Sequence, residues 1–342
     1  PPWVPVTDME KISIIIPSYN SETSIERCIR SAALRSYPEK EIIAVDDAST
    51  DNTPKILRKL EKEIPSLRVI LREKNGGVSA ARNTGMEAAA GRWLVTLDGD
   101  DYMEQGMLEA LYAAQVPAEG MPAQLSICGM KLVYPDRTEV IEAPAAEKRY
   151  AAVFLTQYMC TLWDKHLLTT HANKLYDLEL IRKEGLRYRE DLRINEDIDF
   201  VFRYLALCRN IAMTKGAYMN YVQHGAGESN ITVYRENGLS SSLAVLEDFQ
   251  KIEDLSETSL NGMERRLLVH ILSFAGLMYQ KSSLTEEQKL DELNRNFRTE
   301  SFRQLVRDVK PRGVKEKIAV FLLKHEWIRM YHELCRLVYR KR

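Results

Sequence analysis

No paired C-x-x-C spacing and no even cysteine count occur in these 342 residues; the five cysteines stand scattered at 28, 128, 160, 208 and 335. That scatter argues against a disulfide frame or a zinc cluster and fits a reducing compartment. No apolar run reaches the ~18 residues of a membrane span, and no basic-then-apolar leader is visible. The chain is therefore expected in the cytoplasm, or peripheral at the inner face of the membrane. An excess of one charge is missing as well. Lys+Arg 48 against Asp+Glu 49 gives a net charge of -1, so no global field points to nucleic acid as a partner. There is no G-x-S-x-G elbow of a serine hydrolase and no G-x-G-x-x-G dinucleotide fingerprint, and the six histidines lack ligand spacing such as H-x-x-x-H.

What is present is an alternation of strand and helix signals over the first hundred residues. Apolar runs at Ile12–Ile16, Ile42–Val45, Leu67–Leu71 and Arg92–Leu97 predict strands. Between them, Ser21–Ser36, a segment opening at Thr53-Pro54, and Val78–Ala90 carry helical spacing. Such alternation implies an α/β fold with a mainly parallel sheet covered on both faces. Ligands of these sheets bind beyond the carboxyl ends of the strands. Three polar endings fall there: Pro17-Ser18-Tyr19-Asn20, Asp46 to Asp51, and Asp98-Gly99-Asp100-Asp101. Further on, Leu125–Tyr134 predicts a strand, hairpinned with Thr138–Ile141. Helices are expected over Tyr150–Leu162, Leu178–Glu184 and Asp197–Leu207, and a strand over Tyr218–Val222. From about Glu236 onward the signals are helical. The expected divisions are 1–116, 117–235 and 236–342.

The Asp98-Gly99-Asp100-Asp101 ending suggests a hard divalent cation, because clustered carboxylates need a positive partner. Asp46 could accept a hydrogen bond from a base N–H, and the Tyr19 ring could stack on that base; turn chemistry is the alternative for Asp46 and the favoured role for Asp47, Ser49 and Asp51. Arg82 is suited to a phosphate contact or to an ion pair with Asp98, with neither favoured. Glu196-Asp197 opens a helix whose dipole would hold their charge, so they serve either as a general base or as plain first-turn residues.

Together, Ile14 to Asn20, Val45 to Thr53, Asn75-Gly76-Gly77-Val78-Ser79-Ala80-Ala81-Arg82-Asn83-Thr84-Gly85 and Leu97 to Asp101 resemble, in order and spacing, the family 2 glycosyltransferases. Asn173 to Tyr176, Glu196-Asp197 and the stretch from Tyr218 through His224 to Thr232 match more loosely. The resemblance implies a GT-A (Rossmann-like) fold with a helical C-terminal region, and an inverting enzyme using a nucleotide-diphospho-sugar, with UDP expected. It implies that residues 1–116 form the nucleotide-sugar-binding half and 117–235 the acceptor-binding half. By the same resemblance Pro17, Tyr19 and Asp46 hold the nucleobase with Asn20 and Arg82 in the nucleotide site, and Asp98 contacts the ribose side. Asp100 binds Mn2+ or Mg2+, His224 falls where some relatives place a metal or diphosphate contact, and Asp197 is the base beside Glu196. The acceptor would be a glycan or a lipid-linked glycan.

Two other classes are compatible with parts of the pattern: a nucleotidyltransferase, though its glycine-rich basic loop after the first strand is absent, and a non-catalytic nucleotide-sugar binding module. Residues 311–342 hold nine Lys/Arg against three Glu, a local charge of +6 that leaves -7 elsewhere. Within them Val320, Leu323, Trp327, Tyr331, Leu334 and Val338 fall at helical spacing. This predicts an amphipathic basic helix, packed on the protein or a partner subunit as in a homo-oligomer, or laid on an anionic membrane.

Overall fold

Strand 1 shows why the sheet forms where it does. The computed structural model describes residues 9–34, 36–116, 122–144, 149–223, 237–253 and 255–339. In it β1 (Ile12–Ser18) is buried along its whole length, as a strand covered on both faces must be. It pairs in parallel with β2 (Lys40–Asp46) on one side and β4 (Trp93–Thr96) on the other, and β2 pairs in parallel with β3 (Leu67–Leu71). The crossovers are α1 (Ile25–Ala32), α2 (Thr53–Glu63) and α3 (Val78–Ala88). Each turns its apolar side inward: Ile25, Cys28 and Ile29 on α1 and Leu57 and Leu60 on α2 are buried. On α3, a Cβ at Gly85 would lie 2.3 Å from Ile15 Cγ2. Glycine there lets the helix lie directly on the sheet.

The sheet continues with β5 (Tyr102–Met103), β6 (Leu125–Val133), β7 (Thr138–Ile141), β8 (Arg149–Tyr150), β9 (Lys174–Asp177) and β10 (Asn210–Val222), in the order β3-β2-β1-β4-β9-β6-β10-β5, with β7 on β6 and β8 on β10. β6 and β7 form the expected antiparallel hairpin. Only β9 runs against its neighbours β4 and β6 inside the ladder. Sequence periodicity did not predict it, since a four-residue strand opening on a lysine carries no strand signature. Lys174 is buried because three oxygens replace its water: Nζ donates to the carbonyls of Leu167 (2.7 Å) and Thr170 and to Asn173 Oδ1 (2.7 Å). Burial pushes its pKa down to about 7. β10 is eight residues longer at its start than the segment predicted; its register shifts around Ala217, where Thr214-Lys215-Gly216 breaks the apolar pattern. The helices between these strands are α4 (Met107–Gln115), α5 (Ala151–Asp164), α6 (Leu178–Lys183) and α7 (Glu196–Leu205).

The chain divides into two compact units: residues 1–154, 161–191 and 196–224, which hold the sheet, and residues 155–160, 192–195 and 225–342. The second contains α8 (Gly238–Phe249), α9 (Glu257–Lys281), α10 (Glu286–Phe297), α11 (Glu300–Asp308), α12 (Gly313–Lys324) and α13 (Ile328–Val338). Leu246, Phe249, Leu267, Ile271, Leu293 and Leu305 are buried within it. Thr285 and Gln288 close a reciprocal capping box at the start of α10. The tail is two helices, interrupted at His325–Trp327 where Glu326 has φ 56°, and not the single helix its periodicity suggested. No helix among the described residues is long and apolar enough to cross a membrane.

Candidate active site

The endings of β1, β2 and β4 are tied to one another by side chains. Asp46, at the end of β2, is nearly fully buried; its carboxylate accepts from the Ser49 N–H (3.0 Å) and hydroxyl (2.6 Å). Ser49 Oγ in turn accepts from the Asn20 N–H (2.9 Å), and Asn20 Oδ1 accepts from the Thr50 N–H (2.9 Å). Asn20 has φ 50°, a left-handed conformation that asparagine tolerates. Asp46 thus takes part in the turn, and each carboxylate oxygen retains a second acceptor site. Tyr19, directly after the end of β1, is 48% exposed and offers an aromatic surface there.

Asp47 is a structural anchor. Its buried carboxylate accepts from the N–H groups of Gly76 (3.1 Å) and Gly77 (2.7 Å) and pairs with Arg72. The Asn75-Gly76-Gly77 turn is thereby fixed to the end of β2, and α3 starts from it.

The loop after β4 is gripped from α1. Ser24 Oγ donates to the carbonyl of Gly99 (2.9 Å), Arg27 to that of Asp100 (2.7 Å), and Cys28 Sγ lies 3.4 Å from that of Asp98. A Cβ at Gly99 would come within 3.0 Å of the Pro17 carbonyl, so this glycine brings the loop against the end of β1. Asp101 is buried and accepts from the Val222 N–H (2.8 Å), joining the loop to the end of β10. Burial, with the charges of Asp100 and Asp98 nearby, pushes its pKa well above the carboxylate range.

Arg82 is the central cation. Its guanidinium is buried, donating through Nη2 to Asp98 Oδ1 (2.8 Å) and through Nη1 to Glu196 Oε1 (2.9 Å), and it lies 5.1 Å from the Tyr188 ring centre. The ion pair with Asp98, one of the two roles open in the sequence, is present. The second partner, Glu196, is 114 residues away in the chain. The fork of Arg82 joins the end of β4 to the first turn of α7. Against burial, which opposes it, the arginine charge and His171 hold the Asp98 carboxyl far below its ordinary range. Asp197, next along α7, is half-buried, and its Oδ1 accepts from the Ile198 N–H (2.8 Å). Burial and the neighbouring Glu196 charge raise its pKa to about 7, against the lowering influence of Arg82.

His171 was not singled out by the sequence. It is buried with Nε2 3.5 Å from Asp98 Oδ1, edge-on to Tyr188. Burial and the adjacent Arg82 lower its pKa, against the raising influence of Asp98. The loop that carries it is the one closed by Lys174, and no local motif marks an isolated histidine of this kind. His224 lies outside the described residues.

The match to known proteins follows this geometry. The model of glycosyl transferase family 2 matches residues 13–185, from β1 through β9 and α6. The chain belongs to that family. The match includes Arg82, Asp98 and Lys174 and ends before Glu196 and Asp197. Among curated relatives, the glycosyltransferase EpsJ of Bacillus subtilis is 32% identical over 201 residues, 55% of this chain and 54% of that protein. The cholesterol galactosyltransferase of Borreliella burgdorferi is 28% identical over 240 residues, covering 67% and 65%. The chain thus spans about half to two thirds of the length of these relatives. Among solved structures, S. aureus TarS 1-349 in complex with UDP-GlcNAc aligns with TM-score 0.71 over 96% of this chain and 91% of that one, at 21% identity. The architecture of this family 2 member is accordingly the mixed α/β fold of TarS with a helical C-terminal region.

A divalent metal is the cofactor expected from the sequence. Among the described residues no three His, Cys, Asp or Glu side chains converge to hold one. Asp100 would supply one carboxylate, and Mg2+-like ions are commonly held by one or two carboxylates with phosphate oxygens and water completing the shell. Such a donor set is no self-contained cage among the described residues, and it is compatible with a cation that also draws ligands from a bound substrate.

Proposed function

We propose that this family 2 chain is an inverting glycosyltransferase that moves a sugar from a nucleotide-diphospho-sugar, with UDP the expected nucleotide, to an acceptor hydroxyl in bacterial polysaccharide or glycan synthesis. The observation that carries this reading is the Arg82 fork, which joins Asp98 at the donor-side strand end to the acidic pair opening α7. A binding module would need the first group alone; a transferase needs a base beside it.

In this mechanism Tyr19 stacks on the base, Pro17, Asn20 and Asp46 frame it, and Asp98 meets the ribose side. Asp100, with His224, would hold Mn2+ or Mg2+, which when bound neutralises the charge of the leaving diphosphate. Asp197 takes the proton of the acceptor hydroxyl as that oxygen attacks the anomeric carbon. Its pKa of about 7 suits a base working near neutrality. Glu196, held by Arg82, keeps the carboxylate pair in place. No covalent sugar–enzyme bond is needed, so the configuration inverts. Residues 1–116 supply the donor half and 117–235 the acceptor half. The complex of TarS with UDP-GlcNAc and that of the Pyrobaculum calidifontis mannosyltransferase PcManGT with GDP-Man and Mn2+ (TM-score 0.51, 15% identity) support the donor class and the metal.

A thermal-shift screen of UDP-, GDP- and dTDP-sugars with Mn2+ tests the donor. At a hundredfold excess over Kd a donor stabilises the fold by about 2.7 kcal/mol. A UDP-sugar is expected to raise the melting temperature in a Mn2+-dependent way. A set of donors with no effect would refute donor binding at this site.

A further inference from the structure

The apolar stripe read from tail periodicity is half internal: Val320, Leu323 and Tyr331 are buried, while Trp327 and Val338 are exposed. A different row faces solvent. Val314, Ile318 and Phe321 lie on one side of α12 at i, i+4 and i+7, with exposures of 72%, 43% and 51%. Trp327 and Met330, at 44% and 55%, continue the exposed apolar surface beyond the turn. Phe321, His325 and Trp327 form an aromatic cluster, with Phe321 and Trp327 edge-to-face at 5.6 Å and His325 within 5.3 Å of both.

Cations border this row, and the acidic residues of α12 and of the turn after it are drawn to other partners. Glu316 is drawn to Arg265 through two bonds of 2.6 and 2.9 Å, and Glu326 to Arg303 at 3.2 Å. Among the described residues Lys315, Lys317 and Arg329 enter no ion pair, and Lys324 reaches only the Arg307 carbonyl at 3.4 Å. All four are exposed.

We propose that the exposed side of α12, with the turn into α13, is a docking surface for an anionic lipid bilayer. The apolar row is suited to shallow insertion among acyl chains, the aromatic cluster to the headgroup boundary, and the lysines and arginine to anionic headgroups. α12, at twelve residues, lies along such a surface and does not cross it. A second copy is the poorer occupant, because a two-fold contact through this row would set its cations against themselves. The surface does not depend on the donor chemistry proposed above.

The test is co-sedimentation of the full chain with phosphatidylcholine vesicles, with and without phosphatidylglycerol. Two variants accompany it: Ile318→Ser with Phe321→Ser and Trp327→Ser, and Lys315→Glu with Lys317→Glu. Each changes exposed side chains only, and thermal unfolding without lipid verifies that they fold. Binding is expected to require phosphatidylglycerol, to weaken with salt, and to fall by about tenfold or more in each variant. Failure of the wild type to bind, or equal binding by wild type and folded variants, would overturn the proposal. So would a wild-type dimer in sedimentation velocity that the same substitutions dissociate, since the row would then be a subunit contact.

Discussion

Asp197→Asn is expected to lower turnover by about a hundred- to ten-thousandfold while leaving donor affinity near wild type. The amide keeps the shape and the oxygen that accepts from the Ile198 N–H, but it cannot take a proton. Wild-type activity should rise with pH through about 7, as Asp197 loses its proton, and that limb should vanish in the variant. Stability moves the other way. A carboxyl whose folded pKa is raised stabilises the fold below its unfolded value of about 4, and that contribution is lost as pH rises through about 7. The Asn variant should therefore match or exceed wild-type stability at neutral and alkaline pH, which separates lost chemistry from lost fold. Single-turnover rates, nucleotide titrations and melts across pH provide the measurements. A parallel fall in nucleotide binding would make Asp197 a structural residue.

Arg82→Met should destabilise the protein by about 3 kcal/mol, the lower end for breaking a buried pair, because Asp98 and Glu196 keep part of their surface in water. It removes the cation that, among the described residues, is hydrogen-bonded to both carboxylates. Arg82→Lys should recover little, since a single ammonium cannot reproduce a fork whose two ends meet different elements. The pH dependence has a definite sign. Arg82 depresses the Asp98 pKa, so its stabilisation is present above the ordinary aspartate value of about 4 and fades as pH falls below it. The gap between wild type and variant should be widest near neutrality and narrow in acid. Chemical denaturation at several pH values tests this; a gap that is constant with pH would assign the loss to packing against Tyr188.

The strands that carry the donor-side endings were legible because each is an apolar run stopping in polar residues, and a parallel sheet places such stops along one edge. The order of the polar motifs also gave the family. What the sequence could not supply were partnerships across long separations. Arg82 with Glu196, Asp47 with Gly76 and Gly77, and Arg27 with the Asp100 carbonyl are set by tertiary packing and leave no local periodicity. β9 was missed because its first residue is a lysine buried by carbonyl oxygens, which reads as polar in any hydrophobic pattern. In the tail, packing on the protein was among the expected arrangements; what the periodicity missed was the break at His325–Trp327 that divides it into two helices. A period of 3.6 identifies an apolar face without saying whether protein or solvent covers it, and Val320, Leu323 and Tyr331 are covered by protein.

The most direct test of single displacement with Asp197 as base is the anomeric configuration of the first-formed product. Proton NMR can follow the sugar delivered to an acceptor, or to water in its absence, from an α-linked nucleotide-sugar. Inversion predicts the β-anomer first, with its rate collapsed in Asp197→Asn. An α-anomer formed first, at a rate indifferent to Asp197, would contradict it.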